Sequence, residues 1–177
     1  MISILPTAFI FIASALILGF LPRGHIRSTI LLATPVLAAW HIWNLPVGIF
    51  SQVEFVGQTL DMMRVDKLSR IFGLIFCLAA FLGNLYAWHV RDLIQQLAAL
   101  LYAGAAIGAV FAGDLITLFF YWEGTALASV FLIWARKTEG SYHTGMRYLI
   151  IQIPQASFCW QGLRYYIGTL VLLLLSV

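Results

Sequence analysis

The chain has 177 residues, of which 62% are hydrophobic and only 10% are charged. Globular domains are typically about half apolar and a quarter charged, so this composition excludes a soluble domain and indicates an integral membrane protein. The formal net charge of +3 comes from basic residues placed beside apolar blocks. Nucleic-acid binders instead present a solvent-exposed basic face, so no nucleic-acid partner is expected.

Five long apolar blocks follow one another along the chain, and short charged stretches separate them. A helix needs about 20 apolar residues to cross roughly 30 Å of hydrocarbon, and each block is long enough. The blocks lack the alternating pattern of a membrane barrel, which leaves helices. The predicted fold class is all-α: a multispanning transmembrane helix bundle with five full helices and a partial or irregular sixth. The blocks cover residues 2–21, 28–49, 68–88, 93–112 and 115–135.

The longest connection, "SQVEFVGQTLDMMRVDK" at residues 51–67, has apolar and polar residues that partly alternate around Gly57. Such alternation is typical of strands, so a short hairpin lying on the membrane surface is one expectation. An ordinary irregular loop fits the sequence equally well. The sequence alone leaves both open.

Basic residues beside the blocks predict the orientation, because short loops rich in Lys and Arg stay in the cytoplasm. Six basic residues lie beside the odd-numbered connections: Arg23, Arg27, Arg91, Arg136, Lys137 and Arg147. Three lie beside the even-numbered ones: Arg64, Lys67 and Arg70. This bias predicts cytoplasmic odd-numbered loops and an N-terminus outside.

Glu123, within "LFFYWEGTAL", is the deepest charged group in the apolar blocks. It lies about 12 Å into the fifth block, where a charge costs about 2.5–3.5 kcal/mol. A carboxyl group that has lost its hydration favours the protonated form, which suits proton exchange near neutral pH. Glu123 is therefore the predicted catalytic residue, a proton carrier. The alternative is a structural one, in which a neutral Glu123 hydrogen-bonds a hydroxyl such as Thr117 or Thr125.

His41 is the second ionisable group inside a block, and Asn44 lies three residues on, on the same helix face. His41 could pass protons. It could also belong to an interfacial aromatic belt with Trp40 and Trp43, and this second interpretation is preferred.

The remaining polar and small residues in the blocks are interpreted as packing residues. Asn84, Gln95 and Gln96 are expected to form hydrogen bonds between helices. Gly104 and Gly108 have the GxxxG spacing that permits close helix packing, either within this chain or toward a partner subunit.

Motifs of soluble enzymes are missing from the sequence. Cys77 and Cys159 have neither a metal-type spacing nor a disulfide framework, and both are interpreted as packing residues. No phosphate-binding loop and no nucleophile elbow occurs. No cofactor and no metal site is expected.

A family resemblance rests on three stretches. They are "VDKLSRIFGLIF" at residues 65–76, "QQLAALLYAGAAIGAVFAGD" at residues 95–114, and "AGDLITLFFYWEGTALASVFLIWARKTEGSYHTGMRYLIIQ" at residues 112–152. Together they resemble the proton-translocating subunits shared by multisubunit sodium/proton antiporters and the membrane arm of NADH-quinone oxidoreductase (respiratory complex I). The resemblance is closest to the D-type subunits of the antiporters.

The resemblance implies a multi-pass subunit of a bacterial inner membrane, assembled with other membrane subunits of a hetero-oligomeric antiporter. Protons and sodium are the implied ions. In that family an acidic residue on the fifth helix, which matches Glu123, pairs with a lysine on the seventh. The family also has an outward N-terminus and a surface hairpin between helices two and three. Two alternatives stay open: a proton-pumping subunit of NADH-quinone oxidoreductase, and a membrane scaffold that transports nothing.

The tail departs from the family. Residues 1–153 are interpreted as the N-terminal helices of the subunit, whereas residues 154–177 are interrupted by Pro154, Gln155, Gln161 and Arg164. The partner lysine has no counterpart, and Lys67 and Lys137 lie outside the blocks. When the codons implied by residues 155–166 are read in a shifted frame, the amino acids that they encode resemble the family's usual continuation. A frameshift near Ile153 that truncates a longer subunit is the hypothesis, and a natural short protein is the alternative.

Overall fold

The computed structural model describes residues 6–21, 24–55, 58–90 and 92–175. Within these residues the chain forms six α-helices and one two-stranded hairpin, so the helical fold class is confirmed. A short 3-10 segment, Ala87–His89, extends the third helix. The elements are α1 Thr7–Phe20, α2 His25–Asn44, β1 Gly48–Phe55, β2 Gln58–Val65, α3 Lys67–Tyr86, α4 Leu93–Val110, α5 Leu115–Trp134 and α6 Glu139–Leu175.

Three of the described helices are long and apolar enough to cross a membrane: α3 with its extension (Lys67–His89), α4 and α5. The predicted count of five spans is therefore only partly confirmed. In α1, 14 residues are described as helical, which falls short of the length that a span needs. Helix α2 has 20 residues but includes polar ones at both ends, and it stops at Asn44. The apolar residues that follow Asn44 belong to the connection and the first strand rather than to α2.

Aspartate side chains begin α4 and α5. The carboxylate of Asp92 accepts a hydrogen bond from the Ile94 amide at 3.3 Å, and that of Asp114 accepts one from the Thr117 amide at 2.7 Å. Such a cap satisfies amides that the first turn leaves unpaired. A negative charge at the N-terminus of a helix also interacts favourably with the helix dipole. These caps fix where each span starts.

Strands β1 and β2 form an antiparallel hairpin in which Gly48 pairs with Val65 and Phe55 pairs with Gln58. The hairpin is confirmed in place of an irregular loop, and its position on the membrane surface stays a prediction. Two backbone hydrogen bonds attach β2 to the α4–α5 connection. The Arg64 amide donates to the Phe111 carbonyl at 2.8 Å, and the Gly113 amide donates to the Asp61 carbonyl at 3.0 Å.

The connections are grouped at the two ends of the bundle. At one end the hairpin contacts the α4–α5 connection through these backbone bonds. At the other end the ammonium group of Lys137, after α5, lies 2.6 Å from the carboxylate of Asp92, before α4. The third and fifth connections thus lie together, and the second and fourth lie together, as alternating spans require. Arg23 and Arg91, two of the residues behind the orientation prediction, lie outside the described residues, and which end is cytoplasmic stays a prediction.

Helix α4 packs against α1, α3 and α5. Its glycines make two of these contacts possible. A Cβ atom on Gly104 would lie 2.7 Å from Cβ of Phe11 on α1, and one on Gly108 would overlap the ring of Tyr121 on α5. The GxxxG spacing is therefore used within this chain, which answers the question that the sequence left open.

Helix α6 runs for 37 residues and passes through Pro154 without ending. The prediction of a partial or irregular sixth helix is wrong for the backbone, whereas the predicted interruption concerned the apolar character of the span. Pro154 removes one backbone hydrogen bond, but Gln and Arg are good helix formers and do not stop a helix. Among the residues that the structure describes, the three candidate spans do not include α6. The division of the chain at residue 153 and the shifted reading frame stay predictions.

Candidate functional site

Glu123 is the ninth of the 20 residues of α5. At 1.5 Å per residue it lies about 12 Å from the start of the helix, and the remaining turns separate it from the other end by a somewhat greater distance. Its side chain is partly buried. The structure thus places this carboxyl group in the middle of an apolar helix and away from both helix ends.

A cavity of about 420 Å³ lies between α5 and α6, and Glu123 lines it. The α6 side of the cavity carries Gln155, Cys159 and Gly162. Leu115, Leu118 and other apolar side chains supply the rest of the α5 side. The carboxyl group therefore faces a space large enough for several water molecules, with one amide side chain across from it.

Within the described residues, the Glu123 carboxyl group has neither a hydrogen bond nor an ion pair. The two hydroxyl groups that the structural alternative required are engaged elsewhere. Thr117 Oγ1 donates to Asp114 Oδ2 at 2.7 Å, and Thr125 Oγ1 donates to the Tyr121 carbonyl at 2.9 Å. Neither one holds Glu123 in place.

Most basic groups of the described chain lie near the ends of helices, whereas Arg147 and Arg164 lie within α6. Lys137 pairs with Asp92, and Arg64 lies 3.3 Å from Asp66. The guanidinium groups of Arg27 and Arg70 donate to backbone carbonyls, those of Leu21 and Leu45 respectively. Within the described residues, none of these ion pairs or hydrogen bonds involves Glu123.

A second cavity, of about 620 Å³, adjoins the first and shares Leu118, Trp122 and Gln155 with it. Thr125, Ser129 and Gln152 give this cavity a polar lining. Gln152 is 8% exposed, and its Nε2 atom has no hydrogen-bond partner in the described part of the chain. Sequence reasoning did not place either glutamine beside these cavities. The signal was their spacing of three, which puts them on one face of α6.

The other polar candidates, Asn84 and Gln96, lie away from Glu123, and their side chains bind backbone carbonyls. Asn84 Nδ2 donates to the Leu31 carbonyl at 2.8 Å, so the predicted bond between helices is confirmed for this residue. Gln96 Nε2 instead donates to the Val90 carbonyl of its own connection at 2.9 Å, so the prediction is wrong for Gln96. The Val90 carbonyl lies close to the start of α4, so the Gln96 NH2 group finds an acceptor without reaching another helix.

His41 lies in the last turn of α2, between two tryptophans that face outward. Trp40 is 72% exposed and Trp43 is 70% exposed. Aromatic residues at the end of a membrane helix are typical of the interface between hydrocarbon and headgroups. This environment agrees with the preferred interpretation of His41 as part of an aromatic belt.

The described residues contain no cluster of three His, Cys, Asp or Glu side chains that could hold a metal ion. The polar groups that line the two cavities beside Glu123 include a carboxyl group, amides and hydroxyls, which bind protons and water. Comparison with models of known protein families and with curated proteins finds no match. The resemblance to antiporter subunits accordingly rests on the three sequence stretches that carry it.

Proposed function

We propose that this chain belongs to a membrane subunit that moves protons, within a hetero-oligomeric antiporter that exchanges a monovalent cation, sodium, for protons. Glu123 binds and releases the proton. The observation that carries the proposal is the position of this carboxyl group: mid-helix, unpaired in the described chain, and facing a cavity.

The physical reason is the cost of an acidic group at this depth. A charged side chain near a helix centre costs about 2.5–3.5 kcal/mol, and such residues in spans mark ion and proton pathways. A carboxyl group that alternates between its neutral and charged forms needs water or a cation close by when it is charged. The cavity between α5 and α6, and the adjoining cavity that α3 and α4 also line, offer room for that water.

A counter-charge for Glu123 then comes from outside the described residues. In the resembling family a lysine on a later helix fills this role. A buried charge that loses its partner destabilises a protein by about 3–5 kcal/mol, so the ionised form of Glu123 is expected to be stable only in an assembled complex. Other membrane subunits are the proposed partners.

The test is a pH-gradient assay on proteoliposomes that contain the assembled complex. Glu123→Gln keeps the shape of the side chain but cannot exchange a proton, and proton movement is expected to fall by about a hundredfold or more. Glu123→Asp retains a carboxyl group and should keep part of the activity. Glu139→Gln, an exposed glutamate at the start of α6, is the matched control. Unchanged coupling in Glu123→Gln would leave only the scaffold function.

The second candidate function, a proton-pumping subunit of NADH-quinone oxidoreductase, uses the same carboxyl group and the same sequence stretches. The two differ in the coupled reaction. An antiporter builds a sodium gradient from a proton gradient with no electron donor present. If the assembled complex moves protons only during NADH oxidation and is indifferent to sodium, the antiporter proposal is replaced by the respiratory one.

A further inference from the structure

A third cavity, of about 370 Å³, lies between α3 and α4, and Glu123 does not line it. Leu31 on α2 and Leu132 on α5 contribute to its sides. Seven of its 15 lining residues are small, and they leave a groove where two helices would otherwise interlock. These small residues are Ala79, Ala80, Gly83, Ala87, Ala99, Ala103 and Ala106.

The groove has one polar end. Gln96 lines it, is only 5% exposed, and holds the Val90 carbonyl through its Nε2 atom at 2.9 Å. Its Oε1 atom has no hydrogen-bond partner among the described residues. A buried acceptor without a donor costs about 1–3 kcal/mol, so a donor group beside Gln96 would stabilise the structure.

The same end carries a cation. Val90, which lines the groove, lies two residues before Asp92, and Asp92 pairs with Lys137. The Lys137 ammonium group has three donors, and its side chain is 65% exposed, so it can bind a second anion in addition to Asp92. A phosphate group near this end would find a charge of opposite sign.

The length of the groove matches one leaflet of a bilayer. Along α4 it extends from Gln95 to Ala106, a distance of about 16 Å at 1.5 Å per residue. One leaflet contributes half of a hydrocarbon core of roughly 30 Å. The groove therefore begins at a polar, cationic end and reaches to about the midplane with apolar walls.

We infer that this groove binds one acyl chain of an anionic phospholipid whose headgroup carries hydroxyls, the phosphatidylglycerol class. The acyl chain lies between α3 and α4, the phosphate lies near Lys137, and a headgroup hydroxyl donates to Gln96. A phosphatidylcholine has the same acyl chains but offers no net negative charge and no hydroxyl donor. The site thus distinguishes lipids by their headgroups, and it does not depend on the proposed role of Glu123.

The experiment measures which lipid stays with the purified full-length chain. The protein is reconstituted in vesicles with equal amounts of phosphatidylglycerol and phosphatidylcholine, extracted in mild detergent, and weighed with its retained lipid by native mass spectrometry. We expect one retained phosphatidylglycerol per chain, favoured over phosphatidylcholine by about threefold to tenfold, the effect of one hydrogen bond or one ion pair.

Three variants, each with a matched control, locate the site. Ala99→Leu fills the groove and should abolish retention, whereas Ala13→Leu, at an exposed position of α1, should not. Gln96→Leu and Lys137→Gln should each reduce the preference for phosphatidylglycerol. Their controls are Gln161→Leu and Lys67→Gln, at exposed positions away from the groove.

Equal retention of the two lipids by the unaltered chain would overturn the inference, and so would full retention in Ala99→Leu. Should Ala99→Leu fail to fold, as judged by circular dichroism, the headgroup preference of the unaltered chain and of Gln96→Leu decides. A loss of proton transport in Glu123→Gln with unchanged lipid retention would show that the two sites are separate.

Discussion

Lys137 and Asp92 form an ion pair in which Nζ lies 2.6 Å from Oδ2. Asp92 is the N-cap of α4, and Lys137 comes just after the end of α5, so one contact joins two connections. Lys137 has a φ angle of 54°, in the left-handed region where side chains other than glycine are uncommon. The ion pair gives a reason for a lysine to occupy that backbone conformation.

The first prediction separates the ion pair from the backbone effect. Lys137→Gln removes the ion pair but keeps the unfavourable φ, and we expect it to lower the free energy of unfolding by about 0.5–1 kcal/mol. Lys137→Gly removes both and relieves about 1–2 kcal/mol of backbone strain, so it should unfold at a higher temperature than Lys137→Gln. Thermal unfolding in detergent, followed by circular dichroism, measures the difference. Equal melting temperatures would show that the backbone at Lys137 is not strained.

The second prediction concerns the two ends of the bundle. In a variant without Cys77 and Cys159, a cysteine at Thr138 should react with an impermeant maleimide from the cytoplasmic side. A cysteine at Ala112 should react from the opposite side, because it lies beside the hairpin. Labelling of intact cells and of inverted vesicles measures both. Reaction of the two positions from the same side would contradict the alternation of the spans.

The third prediction tests the contact between α4 and α5. Gly108→Ala places a methyl group against the ring of Tyr121, and we expect a loss of about 1–3 kcal/mol from overpacking. Gly19→Ala is the matched control, since nothing lies within 4 Å of its Cβ position. The control should be neutral or more stable by about 0.5–1 kcal/mol, because alanine favours a helix. A similar melting temperature for both variants would mean that Gly108 does not set the helix contact.

The fourth prediction is that Glu123 lowers the stability of the fold and is required for proton movement. Glu123→Leu removes a group that costs about 2.5–3.5 kcal/mol in a span, and we expect the isolated chain to become more resistant to thermal unfolding. Proton movement by the assembled complex should be lost in the same variant. Such a trade is typical of functional sites, where activity needs a locally unfavourable residue. A destabilised Glu123→Leu would instead indicate that the carboxyl group stabilises the fold.

Sequence reasoning succeeded where a local physical rule is strong. Apolar blocks predicted the helices α3, α4 and α5, and alternation around Gly57 indicated the hairpin as one of two interpretations. The position of Glu123 followed from counting along α5. Each of these depends on periodicity or on length, which a single sequence shows directly.

The failures have a common physical origin in contacts between distant residues. Block two was extended to residue 49, but the structure ends α2 at Asn44 and pairs Gly48 with Val65. Gln155 was interpreted as an interruption, yet it lies on the α6 face that lines the cavity with Glu123. The register of Gly48 with Val65 and the facing of α5 and α6 arise from contacts in the folded chain, and the local patterns only hint at them.

The attachment of the hairpin to residues 111–113 has a consequence for how the protein is made. The ribosome completes residues 48–65 first. It must then synthesise α3 and α4 before Phe111 and Gly113 can form their hydrogen bonds with β2. Until then the edge of β2 that bonds residues 111–113 keeps unpaired amides and carbonyls. Insertion of α4 thus completes the docking of a segment synthesised before it, and a halt in synthesis between the two would leave an open strand edge on the outside of the bundle.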